Sequence, residues 1–277
     1  MPNKRGKTSS VTPNTQNNGA GIQSMPHELL LEILQYLGPP LDRTTSYFGG
    51  TPPYPLNSER RQTLHSLSQC CRALRSFFLP LAWEYVDACR AKNGHGECEG
   101  WAQMRKRQRN LELKSRGLVQ NPKLAAYVRY AHICPDFSQA QLMKYYITSR
   151  IVNVHFVKGS EGEVASVFAQ CLQSLPNVHT LQIAGVLGQA ATAIKTAFQN
   201  HRLLQIRTII LPNLAHHVLS SCPRVKDMTC IGYQAEYVFN TISKRCKQVE
   251  ALDIMVRGNN SMECGCFTGR TFNMTLI

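Results

Sequence analysis

Acidic residues are scarce in this sequence. Its 277 residues include 17 Asp and Glu against 31 Lys and Arg, so the formal charge at neutral pH is 31 − 17 = +14. The few carboxylates are scattered, which argues against a paired-carboxylate active site. A basic balance of this size is compatible with nucleic acid, an acidic membrane surface or an acidic partner protein, but it does not define the fold.

Long apolar runs and the common catalytic motifs are also missing. A membrane-spanning helix needs about 18 or more consecutive apolar residues, and the sequence has no such run, so we expect no membrane partner. Gly-rich phosphate loops, His-Glu-x-x-His and Gly-x-Ser-x-Gly are absent. The neighbours His216 and His217 point about 100° apart on a predicted short helix and are poorly placed to share a metal. We therefore expect a protein that is not an enzyme and that uses no cofactor or metal.

The cysteines indicate a reducing compartment. No signal peptide is recognisable ahead of the eleven cysteines, and most of them fall inside apolar periods. This pattern predicts reduced core residues of an intracellular protein, in the cytoplasm, the nucleus or both. A zinc protein is an alternative, although no Cys-x-x-Cys pair has a matching second pair. Its ligands would come from Cys89, His95, Cys98, Cys264 and Cys266.

Two polar segments flank the first apolar region. Residues 1–24 are rich in Asn, Thr, Ser and Gly, and we expect a disordered tail. Residues 87–122 include a strongly basic stretch, which predicts an exposed helix or linker with Leu111 or Leu113 on its inner side. Basic residues that bind nucleic acid are commonly interleaved with aromatic ones. Such interleaving is absent, so a nucleic-acid partner is not expected, but a basic nucleic-acid-associated scaffold remains the alternative function.

Residues 25–86 predict a helical domain with two apolar faces and an inserted loop at 38–63. Pro26 suits the first turn of a helix, and Gly38 with the two prolines after it ends that helix. The second face repeats at intervals of three and four residues, as a helix requires. The first face contains Leu29, Leu30, Ile33, Leu34 and Leu37, and the second contains Leu64, Leu67, Cys71, Leu74, Phe78 and Leu81.

This region resembles an F-box. The family pattern is roughly Leu-Pro-x-Glu-Leu-Leu-x-x-Ile-x-x-x-Leu, followed by Leu-x-x-Leu-x-x-Val-Cys-Arg-x-Trp/Phe. The sequence departs from it at Met25, at Cys70 and in the long insert. The matching residues are Pro26, Glu28, Leu29, Leu30, Ile33 and Leu37 in the first half, and Leu64, Leu67, Cys71, Arg72, Leu74 and Trp83 in the second. A generic helical hairpin with a leucine-rich core is the alternative.

The resemblance implies a partner and a role. F-box domains bind a Skp1-type adaptor and through it a cullin, so the implied protein is a substrate-recognition adaptor of a ubiquitin ligase. An unknown protein target would bind elsewhere on the chain, and the basic balance suggests an acidic or phosphorylated one. The candidates to form or support the adaptor surface are Pro26, Leu29, Leu30, Ile33, Leu34, Leu37, Leu67, Cys71 and Leu74.

Residues 123–277 contain a repeat. Apolar residues recur at offsets 0, 3, 6 and 8 from an anchor, and the last two have the two-residue period of a strand. Helical patterns lie between these strands, so the repeat predicts an α/β solenoid with a parallel sheet. The six anchors are Ala125, Thr148, Leu175, Leu203, Cys222 and Cys246.

These units resemble degenerate leucine-rich repeats. Leu175-Pro176 and Cys222-Pro223 are similar to the openings of repeats found beside F-boxes, but the family's Asn or Cys turn ladder is missing. The fold class is therefore predicted as α/β, with an F-box-like helical unit followed by a short solenoid. An ordinary α/β domain with coincidental spacing is the alternative. Phe272–Ile277 predicts a last strand without a polar cap, so we expect a fragment or a partner-covered end.

Overall fold

The computed structural model describes residues 25–37, 54–87, 100–133, 160–183, 186, 189–232, 235–256 and 270–275. The predicted tail (1–24) and most of the predicted insert lie outside these residues. The described elements, in chain order, are α1 (His27–Tyr36), α2 (Tyr54–Cys70), α3 (Arg72–Trp83), β1 (Tyr85–Asp87), α4 (Gly100–Gln120), α5 (Pro122–Ala125), β2 (Tyr130–Ile133), α6 (Ser160–Ser174), β3 (Thr180–Ile183), α7 (Gln189–Phe198), β4 (Thr208–Pro212), the 3-10 helix η1 (Asn213–Ser221), β5 (Asp227–Ile231), α8 (Ala235–Arg245), β6 (Ala251–Val256) and β7 (Arg270–Thr275).

The strands form one sheet in sequential order, from β1 to β7. Strands β1 to β6 are parallel to one another, which confirms the predicted α/β class with a parallel sheet. The predicted C-terminal strand is present as β7, but it is antiparallel to β6 and so departs from the parallel arrangement. An antiparallel neighbour needs no crossover helix, unlike the strands before it.

The repeat pattern identifies the core. In each of five units the residues at offsets 0, 3, 6 and 8 are buried, with at most 7% of the surface exposed. The register explains why: offset-6 residues from neighbouring strands lie side by side on one face of the sheet. That row consists of Ala131, Leu181, Ile209, Met228 and Leu252. The unit anchored at Thr148 lies outside the described residues, and β2 pairs directly with β3.

Helices cover the face of the sheet that carries this row. They contact one another in chain order, from α4 through α6, α7 and η1 to α8. The predicted helical patterns at 164–172, 190–198 and 237–242 fall within α6, α7 and α8. The described anchor cysteines, Cys222 and Cys246, are free and buried, as the apolar periods predicted.

Two predicted details of the helical region are wrong. The insert does not extend to residue 63, because α2 begins at Tyr54. Pro55 is its second residue, where a proline costs no helical hydrogen bond. The second apolar face does not lie on one helix either: Cys71 is extended (φ −157°, ψ 171°), and its sulfur accepts a hydrogen bond from the Leu74 N–H, which starts α3.

The boundary predicted between residues 86 and 87 falls inside a strand. The three residues of β1 follow α3 after Glu84 alone and pair with β2. The basic stretch is the helix α4. Of its two predicted inner residues, Leu111 is buried, whereas Leu113 is 57% exposed. The helical region and the sheet are therefore joined directly, with no linker between them.

Candidate protein-binding site

Helices α1, α2 and α3, which we call the helical unit, have a core of their own. Helices α2 and α3 pack extensively against each other, and α1 is fastened to α2 by a hydrogen bond of 3.1 Å from the Arg60 guanidinium to the Leu34 carbonyl. Burial lowers the pKa of Arg60, and nearby Glu84 raises it in part. The buried cluster is Leu30, Leu34, Leu64, Leu74, Phe78 and Ala82.

The structure separates the nine candidate residues into three groups. Leu30, Leu34 and Leu74 are at most 7% exposed and fill the core of the helical unit. Pro26 and Leu29 are exposed. The remaining four are half-buried against that core: Ile33, Leu37, Leu67 and Cys71. The first group supports the surface, and the other two groups can contribute to it.

Helix α1 also has large apolar side chains that the described chain leaves uncovered. Leu29 is 46% exposed, Leu31 is 53% exposed and Tyr36 is 84% exposed. At 100° per residue, Leu29 and Tyr36 lie on one flank of the buried stripe and Leu31 lies on the other. The sequence prediction missed Leu31 and Tyr36. Both are apolar residues beside the buried stripe of an amphipathic helix, and this position could have identified them as exposed.

Trp83 joins the helical unit to the sheet. Its side chain packs against both the core of the helical unit and the core under the sheet. The ring of His65 meets it edge-on at 5.8 Å between centroids. Burial and, to a smaller degree, Arg61 lower the pKa of His65 and so favour its neutral imidazole.

A buried polar pair occupies the other face of the sheet, where β1 meets β2. His132 Nδ1 lies 3.5 Å from Asp87 Oδ1, and both side chains are less than 10% exposed. Burial raises the pKa of Asp87, but the His132 ring, Lys114 and Arg61 lower it by more, so the net pKa is below the ordinary value. Lys114 also donates to the Asp87 backbone carbonyl. The pair therefore stabilises the junction as an electrostatic contact.

The adjacent histidines that were predicted to lie on a short helix are found on η1, and their rings are in contact. The rings of His216 and His217 are 3.8 Å apart, and the His216 ring is stacked with Tyr237. His216 Nδ1 lies 2.8 Å from the Asn213 carbonyl, to which it donates. Burial, His216 and Lys195 lower the pKa of His217. We assign this cluster to the packing of η1 on α8.

Two further searches within the described residues are negative. No group of three or more His, Cys, Asp or Glu side chains is arranged to hold a metal ion. No helix there combines the length and the apolar character required to cross a membrane. The five residues of the zinc alternative, Cys89, His95, Cys98, Cys264 and Cys266, lie outside the described ranges.

Comparison with protein-family models, with curated proteins and with solved structures finds no match for this chain.

Proposed function

We propose that the protein is a substrate-recognition adaptor of a Skp1–cullin–F-box type ubiquitin ligase. In this proposal the helical unit is an F-box that binds a Skp1-type adaptor and through it a cullin. The sheet and its helices form a leucine-rich-repeat-like solenoid that holds the protein target. In this proposal the protein itself catalyses no reaction. It acts by bringing the Skp1-type adaptor and the protein target together.

The exposed apolar side chains of α1 carry the proposal. Leu29 and Tyr36 expose 46% and 84% of their surfaces beside an already filled core. Apolar residues grouped on an exposed face commonly mark a protein interface, and a partner that covers them gains about 25 cal/mol for each Å² of apolar area removed from water. Covering this face with a helical partner would remove that exposure.

The repeat region supports the second half of the proposal. Its strands follow one another across the sheet in chain order, and its helices contact one another in the same order. This order supports the proposed solenoid, because each unit of a solenoid contacts its neighbours in the sequence. The curved stack of repeats in a solenoid offers an extended surface that is well suited to binding a protein.

Co-purification with a Skp1-type adaptor tests the proposal. We expect Leu29→Asp to lose the complex, because truncating an interface anchor commonly costs at least about 2 kcal/mol, or about thirtyfold in affinity. Leu31→Asp is the matched control, since it places the same charge on the opposite flank of α1. Circular dichroism should show both variants folded, whereas Leu30→Asp would disrupt the core and is uninformative.

Two results would overturn the proposal. One is a folded wild-type chain that fails to retain the adaptor. The other is equal retention by the wild type and Leu29→Asp, which would remove α1 from the interface.

A further inference from the structure

A pocket lies where the helical unit meets the first strands. Its cavity volume is about 470 Å³, within the range of ligand-binding pockets. The apolar part is formed by the end of α3 and by the turn after α5. Polar groups from three strand starts complete the rim. The lining residues are Pro80, Leu81, Glu84, Ala126, Tyr127, Arg129, Asn177 and His179.

The rim is held in place by contacts of its own. Asn177 donates through Nδ2 to the Ala126 carbonyl at 2.6 Å, which joins two neighbouring turns. Arg129 is 3.8 Å from the Glu84 carboxylate, yet 62% of its side chain is exposed. A guanidinium has five N–H donors, so this single long ion pair leaves donors directed to solvent. The pocket therefore combines an apolar wall with the Arg129–Glu84 ion pair, of which the guanidinium is the more exposed member.

A row of basic residues continues from this rim along the strand starts. At offset 4 from the anchor, successive described repeat units carry Arg129, His179, Arg207 and Lys226, which we call the basic row. The Arg129 carbonyl accepts hydrogen bonds from the N–H groups of His179 and the residue after it, and the same pattern recurs at each step. Adjacent strands lie about 4.8 Å apart, so the row spans about 14 Å.

The charges along the row are compensated mainly at its ends. Glu84 pairs with Arg129 at one end, and Glu250 pairs with Lys226 at the other. In the described part of the chain, Arg207 hydrogen-bonds the Arg224 carbonyl and has no carboxylate partner. Within the row, Arg207 thus carries a positive charge that no carboxylate of the described residues pairs with.

We propose that the pocket and the basic row together bind an acidic peptide of a target protein. An apolar side chain of the peptide enters the pocket, and the anionic groups after it lie against Arg129, His179 and Arg207. An extended peptide advances about 3.3 Å per residue, so about four residues cover the row. The anionic groups are carboxylates or phosphates, which a guanidinium recognises by the same geometry. The inference rests on the proposed adaptor role for the nature of the partner.

Fluorescence anisotropy with the full chain tests this site. The probe is a short end-blocked, fluorescein-labelled peptide with one leucine followed by glutamates. We expect binding that weakens with added salt, because exposed charges are screened. Arg129→Gln and Arg207→Gln should each weaken it about threefold. Arg109→Gln on α4 removes an equal charge from an exposed position outside the site and should leave binding unchanged.

Variants of the probe separate the contributions. Glutamine in place of glutamate should abolish binding, and serine in place of leucine should weaken it. Replacing the glutamates by phosphoserine identifies the preferred anion: tighter binding assigns phosphate, and weaker binding assigns carboxylate. Equal binding of the glutamine peptide overturns the inference, as does an equal loss in Arg129→Gln and Arg109→Gln. Neither outcome affects adaptor co-purification, so failure here is distinguishable from failure of the proposed function.

Discussion

Two adjacent leucines should differ strongly in their contribution to stability. Leu203 is an anchor of the repeat and is 0% exposed, whereas Leu204 is 42% exposed. Both lie in the short connection between α7 and β4, so the two replacements affect the same segment. Replacing each by alanine therefore compares mainly the burial of the two side chains.

The magnitude follows from the carbon atoms removed. Leucine to alanine deletes three carbons, worth about 2.4 kcal/mol at about 0.8 kcal/mol each when fully buried. An unfilled cavity at Leu203 raises the loss to about 3–4 kcal/mol. Leu204 is partly exposed in the folded protein, and its truncation leaves no closed cavity. We therefore expect Leu204→Ala to lower the free energy of unfolding by about 1 kcal/mol. The difference of at least about 2 kcal/mol is a large share of a typical stability of 5–15 kcal/mol.

Urea unfolding followed by circular dichroism measures this difference. The midpoint for Leu203→Ala should fall well below that for Leu204→Ala, with similar slopes, because the surface exposed on unfolding hardly changes. Equal losses would show that offset 0 is not a core position and would refute the repeat as the basis of the fold.

Two further predictions concern single positions. Asp87→Asn should cost about 1–3 kcal/mol at neutral pH, because it removes the charge facing His132. Since the pKa of Asp87 is lowered in the folded state, the wild type should lose its extra stability over Asp87→Asn as the pH falls below the ordinary value of 3.8. Thermal unfolding midpoints measured over a pH series test this. A constant difference between the two proteins at every pH would contradict it. Gly232→Ala should destabilise by about 1–3 kcal/mol, because Gly232 has φ +139° and its new Cβ would lie 2.8 Å from Asn213 Oδ1. Gly117→Ala on α4 is the control, because no atom lies within 4 Å of the new Cβ. Thermal unfolding of both variants should show that Gly117→Ala is neutral or stabilising.

The sheet domain could be predicted because its core follows a strict one-dimensional pattern. A residue such as Leu181 must be apolar at offset 6, since every neighbouring strand places a buried side chain beside it. Offset 4 carried information as well: it holds a charged or imidazole side chain in each described unit, from Arg129 to Glu250. A polar position that recurs at the repeat period is the signal that would have located the basic row.

The helical unit was harder because apolar spacing does not show where a helix breaks. The period continues through Cys71 even though the chain is extended there, and a cysteine is not a usual cap residue. Proline near Tyr54 suggested a loop, although it is also compatible with a first turn. Strand β1 was missed because three residues are too few to show alternation.

Which of the candidate interface residues are buried and which are exposed depends on tertiary packing. Leu29 and Leu30 are adjacent and chemically identical, yet one is 46% exposed and the other is 4% exposed. Their angular positions on α1 differ by about 100°. Which of the two faces inward is decided by the position of α2 and α3, which the sequence of α1 alone does not encode.

The direct junction at Trp83 has a mechanical consequence. A single residue, Glu84, separates α3 from β1, and the indole is shared by the two cores. A hinge needs residues that can change φ and ψ without exposing packed surface, and bending here would pull the indole out of one core or the other. The helical unit and the sheet are therefore rigidly connected at this point. A partner bound by α1 and a peptide bound at the strand starts would keep a fixed distance and a fixed angle to each other.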